Sequence, residues 1–462
     1  MIKEEPNKYI IDKLISLFNQ KDYLEIIEST DKILNDYPNS ILVNNIAGVA
    51  QTELKNLDLA KNFFIKAINL NSKFTDAHYN LANIYSKLNE QDKAIESYKK
   101  VIEIDKNYFK AYNNLGNIYR KKNIYKIALK YYILSLEINP NYKRAYYNLA
   151  GLLQHFVLNE SNAYINKIFL YLLKQNIIVR PNAIATNVIN GLFLNSDIKI
   201  IFSLISDKLF PKNLNYIIEK LSSNDLLLQF MKVCPIPNYY FENNLKKLRK
   251  EILNTVSDNI FNDKYLEFII SLSSQCFLNE YIYFETKDES NKVEKLIKKI
   301  KNKVDNNKIV REIEILCLSC YVPLYNFEWL RKIKPSKYLS EIYNLQFYNF
   351  IQEKKISSSI NSISSITNDI SIKVKNQYEE NPYPRWTNLG LSIEAREIKD
   401  VINDIKLNIN LKKIKFSKNP EILIAGCGTG QHVITTASKY KNVKVYALDL
   451  SFNSLSYAKR KA

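Results

Sequence analysis

The chain has 462 residues, of which 46% are apolar and 24% charged, and it carries a formal charge of +19. The length allows about two to four structural units, and the composition is that of a globular protein, which excludes wholesale disorder. The basic residues are mostly lysines spread along the whole sequence, without an arginine cluster, so the charge does not by itself indicate a nucleic-acid partner.

The five cysteines are too few and too scattered for a disulfide framework. Cys317 and Cys320 form a Cys-x-x-Cys pair within an apolar run, and no second Cys or His pair lies nearby. We interpret them as small buried side chains of a helix, and we predict no metal site. Because the N-terminus lacks an apolar signal core and no stretch is long enough for a membrane span, we expect a cytoplasmic protein.

The first third of the sequence contains a 34-residue repeat. Ala60, Ala94 and Ala128 lie 34 residues apart. A small residue lets two antiparallel helices approach closely, and an aromatic residue fills the space between helical hairpins. The recurring small residues are Gly48, Ala82 and Gly116, and the recurring aromatic residues are Phe64, Tyr98 and Tyr132.

These positions resemble the signature of tetratricopeptide repeats. The resemblance implies an α-solenoid over residues 1–155, with a weaker unit at about 7–40 before the aligned set and a half-unit after it. Proteins of this family offer a concave groove lined by the first helix of each pair. We therefore expect a protein or peptide partner in that groove.

An asparagine ladder (Asn80, Asn114 and Asn148) recurs at the same spacing, and Asn83 and Asn117 follow one helical turn later. An amide both donates and accepts hydrogen bonds, so such a ladder can pair with the backbone of an extended peptide. The pattern is similar to the asparagine ladder of O-linked N-acetylglucosamine transferases. The alternative is that asparagine is simply common at these positions of an asparagine-rich chain.

Residues 156–355 form a second predicted region, helical and without a catalytic pattern. Apolar residues recur at helical spacing in segments 163–173, 245–256 and 292–304. A linker follows at 356–376, in which Asn368 or Asp369 caps a short helix that ends at Glu380.

The clasp (residues 377–386, Gln-Tyr-Glu-Glu-Asn-Pro-Tyr-Pro-Arg-Trp) stands out in a chain poor in arginine and tryptophan. Its two prolines force an extended path and fix the directions of Tyr383, Arg385 and Trp386. Two interpretations remain open. The segment is either a rigid contact between domains or a lid whose Tyr383 and Arg385 reach a bound cofactor.

The sequence of residues 422–449 predicts, in order, a strand, a glycine-rich turn, a helix, a second strand and an acidic residue. The run 422–425 is wholly apolar, as in a parallel strand buried on both faces, and a second apolar strand is predicted at 443–448. Three of the eight glycines fall in the glycine loop between strand and helix, at Gly426, Gly428 and Gly430. Asp449 ends the second strand, where a carboxylate can accept hydrogen bonds from ribose hydroxyls. This is the first half of a Rossmann-type unit.

The loop sequence Gly-Cys-Gly-Thr-Gly resembles motif I of class I S-adenosylmethionine-dependent methyltransferases. The resemblance implies that this cofactor binds at the loop, with its ribose on Asp449 and its adenine beside Leu450. A nicotinamide dinucleotide is disfavoured, because Gln431 occupies the position where that fingerprint has Gly or Ala. One departure from the methyltransferase pattern is Ile424, where an acidic residue is common. The implied loop residues are Gly426, Cys427, Gly428 and Gly430.

As a whole the chain resembles bacterial fusions of tetratricopeptide repeats with a methyltransferase domain, which would begin within residues 377–462. The fold class expected is mostly α, followed by the first β-α-β of a Rossmann-like α/β domain. The resemblance implies methyl transfer to an acceptor recruited by the repeats. Since only two strands of the family's seven are present, we expect this activity of a longer parent protein and name no catalytic base. The alternative is a non-enzymatic scaffold that binds an extended peptide.

Overall fold

The structure is a computed structural model that describes residues 5–160, 162–194, 196–205, 210–257, 266–363, 367–380, 382, 384–405 and 414–462. The chain divides into two compact units, residues 1–152 and residues 153–462. The helical middle and the C-terminal segment, which we expected to be separate domains, therefore lie within one unit. An ion pair between Arg460 Nε and Glu353 Oε1, 2.7 Å apart, is one of the contacts that join them.

Unit 1 is a series of antiparallel helical hairpins. Each hairpin turn contains a residue with left-handed backbone, and these residues recur at the 34-residue spacing: Lys21, Lys55, Asn89 and Asn123, with φ between 60° and 67°. The helices are α1 (Lys8–Gln20), α2 (Tyr23–Asp36), α3 (Ile41–Glu53), α4 (Leu57–Leu70), α5 (Thr75–Lys87), α6 (Gln91–Ile104), α7 (Phe109–Lys121), α8 (Tyr125–Ile138) and α9 (Lys143–Leu153).

The packing of unit 1 confirms the repeat positions. Ala60, Ala94 and Ala128 are fully buried. A Cβ atom added to Gly116 would lie 2.6 Å from the ring of Tyr132, so this pair leaves no space for a larger residue without movement of the ring. The small residue and the aromatic residue thus fix the distance between the two helices of a hairpin.

Unit 2 begins with irregular helices, and the three predicted helical segments lie within α10, α15 and α17. The cap of α21 is also confirmed, because Asn368 Oδ1 accepts hydrogen bonds from the backbone N–H groups of Ile370 and Ser371, each at 3.0 Å. The helices are α10 (Ala163–Lys174), α11 (Pro181–Leu194), α12 (Ser196–Ile205), α13 (Leu214–Ser222), α14 (Asp225–Val233), α15 (Tyr239–Ser257), α16 (Leu266–Leu278), α17 (Lys287–Asp305), α18 (Glu312–Ser319), α19 (Lys337–Tyr343), α20 (Asn349–Ser357), α21 (Asp369–Glu380) and α22 (Ile398–Ile405).

Cys317 lies in α18 and Cys320 directly follows it, and both side chains are buried. This placement agrees with their interpretation as small core residues. In the described ranges no single helix is long and apolar enough to cross a membrane. One pair of helices, 181–194 with 197–205, reaches the required length and composition together, but it is bent by 85°.

A parallel β-α-β unit ends the chain, as the sequence predicts. It consists of β1 (Glu421–Ala425), α23 (Gln431–Lys439), β2 (Lys444–Leu448) and a following α24 (Phe452–Lys461). The strands pair in parallel, with Ile424 opposite Ala447. The expectation of a strand buried on both faces is wrong, because Leu423 is 65% exposed. The described sheet has these two strands. Along β1 the side chains of Ile422 and Ile424 are covered, whereas those of the opposite face are exposed.

Candidate functional site

The first candidate site is a groove of about 570 Å³ in unit 1. Most of its lining residues lie on one helix of each hairpin, α3, α5, α7 and α9, as expected for the first helix of each pair, and Phe64 of α4 and Tyr98 of α6 complete it. The structure brings the three residues of the asparagine ladder together along it. Five asparagines line the groove: Asn80, Asn83, Asn114, Asn117 and Asn148.

The donor groups of the ladder are directed at the protein itself. Asn80 Nδ2 donates to Asn45 Oδ1 at 3.0 Å, and Asn148 Nδ2 donates to Asn113 Oδ1 at 2.8 Å. Asn114 Nδ2 lies within 3.2 Å of three acceptors, which are Asn83 Oδ1 and the hydroxyls of Tyr79 and Tyr98. Each amide has two N–H groups, and at least one of them in every ladder residue already has a partner within the protein. Fewer N–H groups can therefore donate to a peptide than the sequence pattern suggests.

Two buried tyrosines hold the next asparagines of the groove in place. Tyr98 donates to Asn83 Oδ1, and Tyr132 donates to Asn117 Oδ1 at 2.8 Å. Burial raises the pKa of Tyr132 to about 12 and the pKa of Tyr98 further, so both hydroxyls stay protonated and act as donors. The 34-residue register identified both rings as core residues, but it did not indicate that their hydroxyls support the groove.

Cationic side chains also line the groove, and sequence reasoning missed them. Lys87, Arg120, Lys121 and Arg144 lie along it, whereas Glu53 is the only acidic residue among its lining residues. Because lysine is abundant throughout the sequence, only the fold distinguishes Lys87 and Lys121 from the other lysines.

The second candidate site is a pocket of about 560 Å³ in unit 2, formed around the glycine loop. Gly426 and Gly428 have φ values of 65° and 52°, and a Cβ atom at either position would meet no atom within 4 Å. Glycine is favoured there because the backbone is left-handed. Five of the residues that the sequence implied for cofactor binding line this pocket: Gly426, Cys427, Gly428, Asp449 and Leu450.

Asp449 is fixed by backbone donors on both of its oxygens. Oδ2 accepts from the N–H of Gly428 at 2.7 Å, and Oδ1 accepts from the N–H of Ser451 at 3.0 Å. Each carboxylate oxygen keeps a second lone pair for a ligand hydroxyl. The side chain is therefore oriented beside the glycine loop, at the carboxyl end of β2.

Gly430 has a packing role and is absent from the pocket lining. Its φ is 83°, and a Cβ atom added there would lie 2.5 Å from Cβ of Ala458 in α24. The glycine thus lets α24 approach the start of α23. The implied role of Gly430 in the loop is consequently one of helix packing.

Cys427 lines the pocket but remains a thiol at neutral pH. Burial, and secondarily the charge of Asp449, raise its pKa to about 11. A thiol is a much weaker nucleophile than a thiolate. The structure therefore gives no support for nucleophilic catalysis by this residue.

The clasp places its side chains differently from the lid interpretation. Arg385 turns away from the pocket, where its Nε donates to Glu280 Oε1 at 2.9 Å and its guanidinium lies 4.8 Å from the ring centre of Phe277. This ion pair disagrees with the lid interpretation, in which Arg385 would reach a bound cofactor. Tyr383 lies outside the described residues.

The clasp instead holds the glycine loop. Trp386 Nε1 donates to the carbonyl of Thr429 at 2.9 Å, and Thr429 Oγ1 donates to the carbonyl of Pro384 at 2.7 Å. Pro384 itself lines the pocket. These contacts agree with the interpretation of the clasp as a rigid contact.

Sequence reasoning missed a wall of the pocket that α21 supplies through Val374 and Tyr378. The next residue, Glu379, accepts hydrogen bonds from the N–H of Phe452 at 2.7 Å and from that of Asn453 at 3.3 Å, and so caps α24. The local sequence gave no signal for this wall, because about fifty residues of chain separate α21 from the glycine loop. Among the residues described, no group of three or more His, Cys, Asp and Glu is placed to hold a metal ion.

Comparison with known proteins gives matches in unit 1. Residues 75–108 and 109–142 match one model of the tetratricopeptide repeat, and residues 43–74 match a second. No curated protein matches the chain.

Solved structures that are similar include a crystal structure of MamA, 22% identical over 30% of this chain and 81% of that chain, with a TM-score of 0.29. MamA from Desulfovibrio magneticus is 22% identical over 29% of this chain and 75% of that chain, with a TM-score of 0.27. The Arabidopsis OM64 tetratricopeptide domain is 28% identical over 25% of this chain and 96% of that chain, with a TM-score of 0.24. The family matches alone identify residues 43–142 as tetratricopeptide repeats, a type of repeat that generally mediates protein–protein interaction.

Proposed function

We propose that the repeat block is an interaction scaffold that binds an extended peptide in its groove. The observation that carries this proposal is the groove itself, in which successive repeats contribute the same polar positions at the same 34-residue spacing. An extended chain also repeats its backbone groups at a regular interval, so a regular row of polar side chains suits it. The buried tyrosines keep Asn83 and Asn117 in position before a partner arrives, which reduces the ordering cost of binding.

The test is a selection of peptides from a random display library on the full chain. Affinities of the selected peptides are then measured by fluorescence anisotropy. Ser86 lines the groove, so Ser86→Trp fills it and should weaken binding by about tenfold or more. The matched control is Lys99→Trp on α6, where the exposed residue lies outside the groove lining. Selected peptides that bind wild type and both variants equally would refute the proposal.

We propose as a second function that the pocket in unit 2 binds the nucleoside part of S-adenosylmethionine. Support comes from Asp449, whose carboxylate is held beside an open glycine loop. No lysine or arginine lines this pocket in the described ranges, so a ligand with phosphate groups would lack a cationic partner. Gln431 also lines the pocket, at the position where the dinucleotide fingerprint has Gly or Ala, and this favours a nucleoside without phosphate over a dinucleotide.

Within that proposal, Asp449 would accept the ribose hydroxyls, Gly426 and Gly428 would let the ligand approach the backbone, and Leu450 would flank the base. The cofactor would supply an activated methyl group, and the chain would hold it in place for an acceptor recruited by the repeats. No catalytic base is assigned among the described residues.

Isothermal titration calorimetry of the full chain with S-adenosylhomocysteine tests the pocket. Asp449→Ala should reduce affinity by about tenfold or more, because it removes the acceptor for a vicinal diol. Asp400→Ala on α22 is the control, since that carboxylate is outside the pocket lining. Tighter binding of a nicotinamide dinucleotide than of S-adenosylhomocysteine would favour redox chemistry instead.

A further inference from the structure

We infer that the groove of unit 1 selects an extended peptide rich in acidic side chains, whose carboxylates are held by Lys87, Arg120 and Lys121. This inference rests on the proposed peptide-binding function and adds the chemical class of the partner. It follows from which hydrogen-bond donors remain in the groove and from where the charges lie.

The strongest hydrogen-bond donors of the groove are its cationic side chains. At least one N–H of each of Asn80, Asn114 and Asn148 already donates to an acceptor of the protein. Lysine and arginine side chains carry three and five donor hydrogens and bind carboxylates with charge-assisted hydrogen bonds. A peptide that satisfies this groove must therefore present many acceptors, and carboxylates are the strongest acceptors among side chains.

The charges follow the repeat register. Lys87 and Lys121 are the last residues of α5 and α7, and Arg120 precedes the latter. The corresponding last residue of α3 is Glu53. The groove is therefore acidic at its first repeat and basic at the next two, so we expect the acidic side chains of the peptide to lie against α5 and α7.

These cations have no counter-ion of their own. In residues 5–160, which the structure describes without a gap, no carboxylate lies within ion-pair distance of Lys87, Arg120 or Lys121. Other lysines of the same unit do have partners. Lys122 Nζ, for example, lies 2.5 Å from Asp92 Oδ1. The groove thus concentrates unpaired positive charge, which attracts an anionic partner and accelerates encounter.

A peptide fits the polar row better than a nucleic acid does. The Oδ1 atoms of Asn80 and Asn148 accept no hydrogen bond within the described chain, so they are available as acceptors. A peptide backbone offers an N–H donor at every residue, whereas a phosphate backbone offers acceptors only. The combination of free amide oxygens and unpaired cations matches a chain that has both N–H donors and carboxylates.

The experiment measures the charge of the peptides selected on the full chain and then their affinity for charge-reversed variants. We expect the selected peptides to be enriched in Asp and Glu, and we expect Lys121→Glu to weaken them about tenfold. Lys130→Glu is the matched control, because Lys130 is an exposed lysine of α8 outside the groove lining, and it should change affinity less than about twofold. Lys87→Glu should act like Lys121→Glu.

Three other outcomes would overturn the inference, and each identifies what fails. Neutral or basic selected peptides that lose affinity in Ser86→Trp but not in Lys121→Glu would leave peptide binding standing and exclude the acidic class. Equal losses of peptide affinity in Lys121→Glu and Lys130→Glu would show that the net charge of the protein, and not a specific site, determines the affinity. Acidic peptides displaced more readily by a single-stranded oligonucleotide than by each other would assign the groove to nucleic acid.

Discussion

Replacement of Tyr98 tests how the groove is supported. The side chain is 1% exposed and packs against Ala82, Leu115 and Ile118. Its hydroxyl donates to Asn83 and accepts from Asn114 at 3.1 Å. Two variants separate the two contributions, because Tyr98→Ala removes the ring and the hydroxyl, whereas Tyr98→Phe removes the hydroxyl alone.

The expected losses of stability in Tyr98→Ala and Tyr98→Phe differ severalfold. A buried tyrosine removes on the order of 200 Å² from water, which at about 25 cal/mol per Å² gives an upper estimate of about 5 kcal/mol. Truncation of buried aromatic residues to alanine costs about 3–5 kcal/mol. For Tyr98→Phe we expect about 1–2 kcal/mol, the net contribution of the two hydrogen bonds of the hydroxyl, because Asn83 Oδ1 and Asn114 Nδ2 keep each other as partners. Phe64, which has no hydroxyl, occupies the same position in the preceding repeat and shows that the ring alone packs there.

Hydrogen exchange of the full chain is the suitable assay, since unfolding of two units does not give one defined midpoint. The opening free energy of α5 to α8 should fall by the amounts above. Tyr9→Ala, at a tyrosine that is 78% exposed, should change it by less than about 0.5 kcal/mol. Equal losses in Tyr98→Ala and Tyr98→Phe would refute the reasoning, because they would assign the stability to the hydroxyl instead of the buried ring.

Three further predictions concern unit 2. Both tryptophans of the chain lie in this unit, so tryptophan fluorescence during urea unfolding reports on its stability. Arg385→Leu should lower the free energy of unfolding by about 2–3 kcal/mol, because it leaves the carboxylate of Glu280, which is 26% exposed, without its cation. The double variant Arg385→Leu with Glu280→Leu should recover much of this loss, and a double variant without recovery would contradict the pairing. Thr429→Val should cost about 1–2 kcal/mol through the lost hydrogen bond to the clasp, whereas an unchanged midpoint would remove that role. Burial lowers the pKa of Lys461 from 10.5 to about 8, so between these pH values the unfolded chain binds more protons than the folded chain. The free energy of unfolding of the wild type, relative to that of Lys461→Met, should therefore rise with pH from about 8 to about 10.5. A difference that stays constant over this range would contradict the lowered pKa.

The repeat could be predicted from sequence because its contacts are local. Each small residue packs on an aromatic residue sixteen positions later, as in Gly116 and Tyr132, so a regular spacing records the contact directly. The β-α-β unit was predictable for a similar reason, since the glycine loop joins consecutive elements. The observed β1 begins one residue before the predicted strand, and β2 begins one residue after it.

The rest could not be predicted because it depends on contacts between distant parts of the chain. Arg385 and Glu280 are 105 residues apart, and nothing in the local sequence of the clasp indicates that its arginine faces a helix instead of a ligand. The exposure of Leu423 depends on whether another element packs on its face of the sheet, which an apolar run cannot reveal. The direction of the asparagine amides is set by neighbouring side chains, such as the hydroxyls around Asn114, and the 34-residue spacing contains no information about it.

The most direct measurement of the central claim is photo-crosslinking with a selected peptide that carries a benzophenone group. After irradiation with the full chain, mass spectrometry identifies the residues joined to the peptide. The account predicts crosslinks to the lining residues of α5 and α7, from Tyr79 to Lys121. Crosslinks to the exposed faces of α6 and α8, or to residues 153–462, would contradict the claim that the groove is the binding site.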